Sequence, residues 1–345
     1  MSKHDNLRGI FDWIQIQFLD TISIDTIIED ILFMNSDYFI EDKGNLSYYK
    51  YEKYLTYGNI RIYFGRQENN FMLVMSGQTL EWYRENILSV YALSEKDFFR
   101  NLVTNFSHYS IRRIDVAIDD FNEKPFFTPN DLLAICQKKR FIYGKSTYYL
   151  PYGDENVGQT LYLRKPSDDE RLRIYDKQAE QASKQQVSKK EIQKWIRTEL
   201  ELRREKSQKF IFEFLESKDD ILNFTKGYLK NRVKFYEDSL FTIPYRNWEV
   251  FLKNARPVNI NFHKEDVALS KRFNWYANKG SANVYKAYKF LWENNLLSEE
   301  ELLNFEKLDK VKYPPDLASD LIERAVKNQR EDLIPMIKKN IKRRD

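Results

Sequence analysis

Residues Ile111–Phe121 read IRRIDVAIDDF. Ile114, Val116 and Ile118 alternate with Arg113, Asp115, Ala117 and Asp119, the period-two pattern of a β-strand with one buried face. Two carboxylates four residues apart then share the opposite face beside a small alanine. Such a face is either solvated and laced with cross-strand ion pairs, or it holds a cation. Two more stretches repeat the pattern. WIRTELELR, Trp195–Arg203, sets Trp195, Arg197, Glu199, Glu201 and Arg203 on one face and Ile196, Leu200 and Leu202 on the other, with Thr198 among them. RLRIYDK, Arg171–Lys177, sets Arg171, Arg173, Tyr175 and Lys177 against Leu172 and Ile174. Asp176 points the other way on a regular strand and receives no catalytic role. A free tyrosine is only about 0.1% ionised near neutral pH. Neighbouring cations favour its phenolate, and the same cations grip a phosphodiester.

Outward from these motifs, Phe11–Phe18 (FDWIQIQF), Asn59–Gly65, Asn70–Gly77 and Thr160–Lys165 also read as strands, and residues 81–90 as a helix. Beyond Phe214 the pattern becomes helical, including residues 283–294 and 316–339. The expected fold class is α+β: an antiparallel β-sheet core with flanking helices over residues 1–215, then a helical part over residues 216–345.

The chain has 345 residues, a net charge of +4, 42% hydrophobic and 15% aromatic residues, which suit about two domains and exclude disorder. A single cysteine, Cys136, forbids an internal disulfide and metal sites built on cysteine pairs. His4, His108 and His263 lie far apart without zinc-ligand spacing. Neither a secretory leader nor a membrane span is expected, so the expected location is cytoplasmic.

Charge is concentrated locally. Lys226–Lys289 carries thirteen basic residues against five acidic ones, interleaved with Trp248, Trp275, Tyr276, Tyr285 and Tyr288. Cations meet phosphates and rings stack on bases, so the segment suits nucleic acid, with Lys226, Lys230, Arg232, Lys271 and Arg272 as candidate DNA contacts. The competing explanation is a set of amphipathic helices whose aromatic residues face a core.

If the three charged strands are neighbours, four carboxylates, a tyrosine and several cations converge. Asp115, Asp119, Glu199 and Glu201 are oxygen donors of the kind hard divalent cations prefer. A metal on a phosphate beside a tyrosine nucleophile is machinery for DNA strand transfer through a phosphotyrosine link.

IRRIDVAIDDF, RLRIYDKQAEQ and WIRTELELRR, in this order, resemble the Rep_trans family, which contains rolling-circle replication initiators of small plasmids and MobT-type relaxases of integrative conjugative elements. FDWIQIQF and MSGQTLEWY resemble the family's opening segments, and the resemblance spans roughly residues 10–215. It implies a Rep/relaxase-like sheet with Tyr175 as the nucleophile, Arg173 and Lys177 on phosphate charge, and Asp115, Asp119, Glu199 and Glu201 as candidate ligands of Mg²⁺ or Mn²⁺. Arg113 and Arg197 are expected to touch DNA. The implied substrate is a replication origin or oriT with a hairpin and a single-stranded nick site, and the implied partners are a PcrA-type helicase and a second copy of the chain. Sequence recognition would lie in residues 216–345. Two alternatives compete: a non-catalytic DNA-binding repressor on the same scaffold, and a metal-dependent nuclease using water.

Overall fold

In the computed structural model, ten strands among the described residues form one antiparallel sheet. They are β1 (Leu7–Phe18), β2 (Ile40–Asp42), β3 (Lys53–Tyr57), β4 (Ile60–Phe64), β5 (Phe71–Ser76), β6 (Tyr109–Asp120), β8 (Tyr149–Tyr152), β9 (Thr160–Leu163), β10 (Glu170–Asp176) and β11 (Ile196–Arg203). Their order is β2-β3-β4-β5-β1-β6-β11-β10-β9-β8. A separate pair joins β7 (Phe141–Tyr143) to β12 (Val233–Phe235). The structure describes residues 6–18, 22–42, 51–65, 70–153, 158–253, 255–260, 282–294, 312–313 and 315–340.

The three charged motifs are β6, β11 and β10, and they are consecutive in the sheet. Their apolar residues face helices. Phe11 of β1 meets Phe99 at 5.1 Å between ring centroids and Phe214 at 6.1 Å. Those rings belong to α3 (Glu95–Asn105) and α6 (Glu205–Glu216). Ser94 and Asp97 close α3 in a capping box, which satisfies its first free N–H groups. Next along lies α7 (Ile221–Arg232), which approaches β1 at Gly9, where a Cβ would stand 2.5 Å from the Leu222 Cα. Any larger residue there would push helix from sheet. Among the described residues the other helices of this part are α1 (Ile24–Thr26), α2 (Gly77–Tyr83), α4 (Pro129–Gln137), α5 (Lys177–Gln185) and α8 (Arg246–Phe251). The helix expected over 81–90 starts earlier, at Gly77, and gives way at Arg84–Leu88 to a wider turn.

This compact unit extends over Met1–Asn261 and a second over Phe262–Asp345. The division expected at residue 215 therefore falls inside the first unit. Helical periodicity announces α7 but not what it packs against, and α7 buries Phe224, Tyr228 and Leu229. In the second unit the described helices are α9 (Ala282–Glu293), α10 (Pro315–Lys327) and α11 (Ile334–Lys339). Ala318, Ala325 and Ile337 form its buried cluster, with Tyr313, Leu321, Ile322 and Leu333 against them. No helix among the described residues is long and apolar enough to cross a membrane.

Candidate active site

On the side of the sheet opposite α3, α6 and α7, the register builds cross-strand rows. Arg8, Asp119, Arg197 and Tyr175 stand across β1, β6, β11 and β10; Ala117, Glu199 and Arg173 form the next row; Trp13, Asp115, Glu201 and Arg171 form the third. A bulge between Phe11 and Trp13 interrupts the pairing of β1 with β6. It lets the sequence neighbours Asp12 and Trp13 both line the same cleft. The cleft has a volume of about 810 Å³, and its other walls come from α2 and α5. Among the described residues eight Arg and Lys and six Asp and Glu side chains line it. Its field is therefore set by where each charge sits, not by a large net excess.

Tyr175 lies just beneath this surface, only 4% exposed. Its hydroxyl donates to Glu199 Oε2 at 3.2 Å and accepts from Arg173 Nη2 at 3.3 Å. The Arg173 guanidinium lies 4.3 Å from the ring centroid and bonds both Glu199 oxygens at 2.8 Å. The expectation that neighbouring cations lower the Tyr175 pKa is corrected here. Burial, followed by the Glu199 charge, raises it well above the ordinary phenol value, and Arg173 and Arg197 oppose this without overcoming it. Lys177 is not the end of β10 but the first residue of α5. Its Nζ stands 5.4 Å from the Tyr175 ring centroid and pairs with Glu180 at 2.6 Å. Asp176 caps α5 through the Ala179 N–H and binds Lys189 at 2.6 Å.

The four acidic candidates divide. Asp119 has a fully buried side chain. Its Oδ1 accepts from Trp195 Nε1 and Arg197 Nε, both at 2.6 Å, and its Oδ2 accepts from Arg197 Nη2 at 3.0 Å and Arg8 Nη2 at 3.1 Å. Those bonds fill the carboxylate, and Asp119 holds β1, β6 and β11 together. Asp115, Glu199 and Glu201 instead line the cleft. Arg113 grips Asp115 with two bonds, at 2.8 and 2.6 Å, and reaches Glu201 at 3.3 Å. Burial pushes the Asp115 carboxyl up to about 7, with Glu199 and Glu201 adding to the rise and Arg113 opposing it. Among the described residues no three His, Cys, Asp or Glu side chains form a ready metal cage. Magnesium usually needs only one or two carboxylates besides phosphate and water. Asp115 and Glu201, paired across β6 and β11, are hard oxygen donors that suit that role, and Asp119 does not.

The expected DNA contacts are mostly committed elsewhere. Arg113 lies 4.9 Å from the Trp13 ring centroid and neutralises Asp115. Arg197 is 3% exposed and bonded to Asp119 and to Asp12, the latter at 2.7 Å. Lys226 is buried 5.9 Å from the Phe251 ring centroid. Lys230 donates to the Ala255 carbonyl at 3.3 Å, and Arg232 binds buried Glu170 at 2.5 Å. Trp248 is likewise core. For α7 the amphipathic-helix explanation therefore holds, because Lys226 turns to a ring, Lys230 to a carbonyl and Arg232 to a carboxylate. Lys271 and Arg272 lie outside the described residues. On α9, Tyr285, Lys286, Lys289, Phe290 and Trp292 are exposed.

The replication initiation factor family model, Rep_trans, matches residues 109–303, more than half of the chain. This chain belongs to that family. The Rep_trans match covers β6, β10 and β11, and the model of a rolling-circle replication initiation protein N-terminal domain matches residues 8–101 ahead of it. Among curated proteins this Rep_trans member is similar to the "Putative DNA relaxase NicK" of Bacillus subtilis, 25% identical over 340 residues and covering 92% of each chain. Among solved structures it is similar in fold to a rolling-circle replication initiator protein from Geobacillus stearothermophilus. That match has a TM-score of 0.60 and 23% identity, and covers 74% of this chain and 99% of the other.

Arg8, Asp12 and Trp13 belong to the site but were not singled out from the sequence of this Rep_trans chain. The strand was legible from Phe11 onward, but not its start at Leu7, which carries Arg8. Nor was the bulge that turns Asp12 and Trp13 to one side.

Proposed function

We propose that this protein nicks and rejoins one strand of DNA at the origin of a plasmid or mobile element, with Tyr175 as the nucleophile. One observation supports this best: Trp13 Nε1, Arg171 Nε and Arg173 Nε are buried donors without a hydrogen-bond partner among the described residues, and all three residues line the cleft over Tyr175. Buried donors of this kind call for an acceptor, and phosphate oxygens supply it.

A phosphodiester drawn to Arg171 and Arg173 lies beside the Tyr175 hydroxyl. The phenol proton passes to Glu199 Oε2, its present acceptor. The phenolic oxygen bonds to phosphorus, the bond from phosphorus to the 3′ oxygen breaks, and that oxygen leaves as a 3′-OH once protonated. The product is a 5′-phosphotyrosyl link. Attack of a 3′-OH on that link reverses the sequence and frees Tyr175. Arg173 and Lys177 offset the charge that develops on the phosphate. Asp115 and Glu201 would hold Mg²⁺ or Mn²⁺, which when bound polarises a phosphate oxygen. The free 3′-OH suits priming of rolling-circle replication, and the linked strand suits conjugative transfer. Exposed Lys286, Lys289, Tyr285, Phe290 and Trp292 on α9 support DNA binding by the C-terminal part. The PcrA-type helicase and the homodimer rest on the family resemblance alone.

The test incubates wild type and Tyr175→Phe with supercoiled DNA carrying the cognate origin, with Mg²⁺ or Mn²⁺. A nick and an SDS-resistant adduct, both lost in Tyr175→Phe, are expected. Binding without a nick would leave a repressor-like protein, and a nick without an adduct would leave a nuclease that uses water.

A further inference from the structure

A second, smaller pocket of about 310 Å³ adjoins the cleft, lined by Tyr57, Gly58, Asn59, Gln78, Thr79 and Trp82. Gln78 lines both. The reason is helical geometry: on α2, Gln78 and Glu81 turn toward the cleft, while Gln78 and Trp82, four residues apart, share the side facing the pocket. Its volume lies at the lower end of the range for small-molecule sites, roughly 300–1,000 Å³.

The chemistry of the walls is specific. Tyr57 and Trp82 meet at 5.3 Å between centroids with their planes at 55°. The rings therefore form an open angle, with no room for a third ring between them. Phe39 continues the aromatic surface behind Tyr57 at 5.9 Å. Gly58 leaves open space, since a Cβ there would meet nothing within 4 Å. Exposed Gln78 and Asn59 offer amide donors and acceptors at the rim. Among the described residues no cation lines this pocket, in contrast to the cleft. A flat, uncharged, polar-edged group fits, and it must be continuous with something held in the cleft.

We infer that the Tyr57–Trp82 pocket takes one unstacked base of the DNA strand whose phosphate lies in the cleft. The inference rests on the nicking function proposed above. The base stacks on the Trp82 or Tyr57 ring, the Gln78 amide meets its edge, and the sugar–phosphate chain runs past Gln78 into the cleft. The base thereby anchors the strand beside the scissile phosphate.

The test measures binding in a Tyr175→Phe background, so that no cleavage intervenes. The probes are a fluorescently labelled single-stranded oligothymidylate and an abasic oligonucleotide of equal length. Trp82→Ala is expected to weaken oligothymidylate binding by about 5- to 150-fold, the effect of losing one base–aromatic stack, and to leave the abasic probe unchanged. Trp82→Phe, which keeps a ring, restores most of the affinity, and exposed Gln78→Ala gives a smaller loss on oligothymidylate alone. Equal weakening of both probes by Trp82→Ala, or no weakening of either, overturns the inference. Competition by free thymidine monophosphate as effective as by the oligonucleotide also overturns it, in favour of a nucleotide site. A Tyr175-dependent adduct together with either negative result would remove the base pocket and leave the nicking function standing.

Discussion

The Tyr175 hydroxyl donates to Glu199 at 3.2 Å along a diagonal of the β10–β11 ladder, since Tyr175 is paired with Arg197 and Glu199 with Arg173. Diagonal neighbours lie within reach of an aromatic side chain. The phenol thus meets a proton acceptor, while Arg173 spans both residues. Glu199→Gln preserves the shape and can still accept the hydrogen bond, but removes the carboxylate that takes up the proton. Single-turnover nicking should fall by about 10²- to 10⁴-fold, the usual contribution of a positioned base, with oligonucleotide affinity retained. A wild-type nicking rate in this variant would exclude Glu199 as the acceptor.

Asp119 and Asp115 make opposite predictions although both belong to the same strand face. Asp119→Asn leaves the buried Arg197 guanidinium with Asp12 as its remaining carboxylate. Breaking a buried pair in this way costs about 3–5 kcal/mol. Denaturant unfolding should show that loss, while the metal concentration needed for nicking stays as in wild type. Normal stability with a raised metal requirement would instead make Asp119 a ligand.

Protons and a cation should compete for Asp115. Its carboxyl is raised to about 7, chiefly by burial, then by Glu199 and Glu201 against the pull of Arg113. Below that pH the protonated form predominates and must lose its proton to accept metal. Mn²⁺ affinity, measured by direct titration, should therefore weaken as pH falls through about 7. Asp115→Asn should weaken affinity and flatten this dependence. An unchanged slope in the variant would place the cation elsewhere.

The charged strands were legible because a two-residue period separates an apolar face from a polar one over seven or more residues. That pattern places Tyr175, Glu199 and Asp115 on one side of their strands. It does not supply register, so nothing in IRRIDVAIDDF distinguishes Asp115, opposite Glu201, from Asp119, opposite Arg197. Nor does it reveal that Trp195 and Arg8 close over Asp119. The three-residue strands β7 and β12 are too short to carry a period at all. Local positive charge misled in α7, where Lys226 and Arg232 turn inward to ring and carboxylate. Burial of a cation depends on partners distant in sequence, as Glu170 is from Arg232.

That buried pair yields a pH prediction for the fold itself. Glu170 has no exposed side-chain surface and accepts from Lys206 and Arg232, each at 2.5 Å. Burial alone would raise its pKa, but the Arg232 hydrogen bond and the Lys206 charge outweigh it and lower the carboxyl to about 2. A depressed carboxylate stabilises the folded state fully above its unfolded pKa of about 4.3. The contribution is lost as pH falls from there through about 2. Its size follows from the shift, about 3 kcal/mol. Glu170→Gln should therefore be less stable than wild type near neutral pH by about this amount, and the difference should shrink as the pH of the unfolding experiment falls from about 5 toward 2. A difference that stays constant over that range would mean that the Lys206–Glu170–Arg232 cluster acts through shape and hydrogen bonding, with no share from its charge.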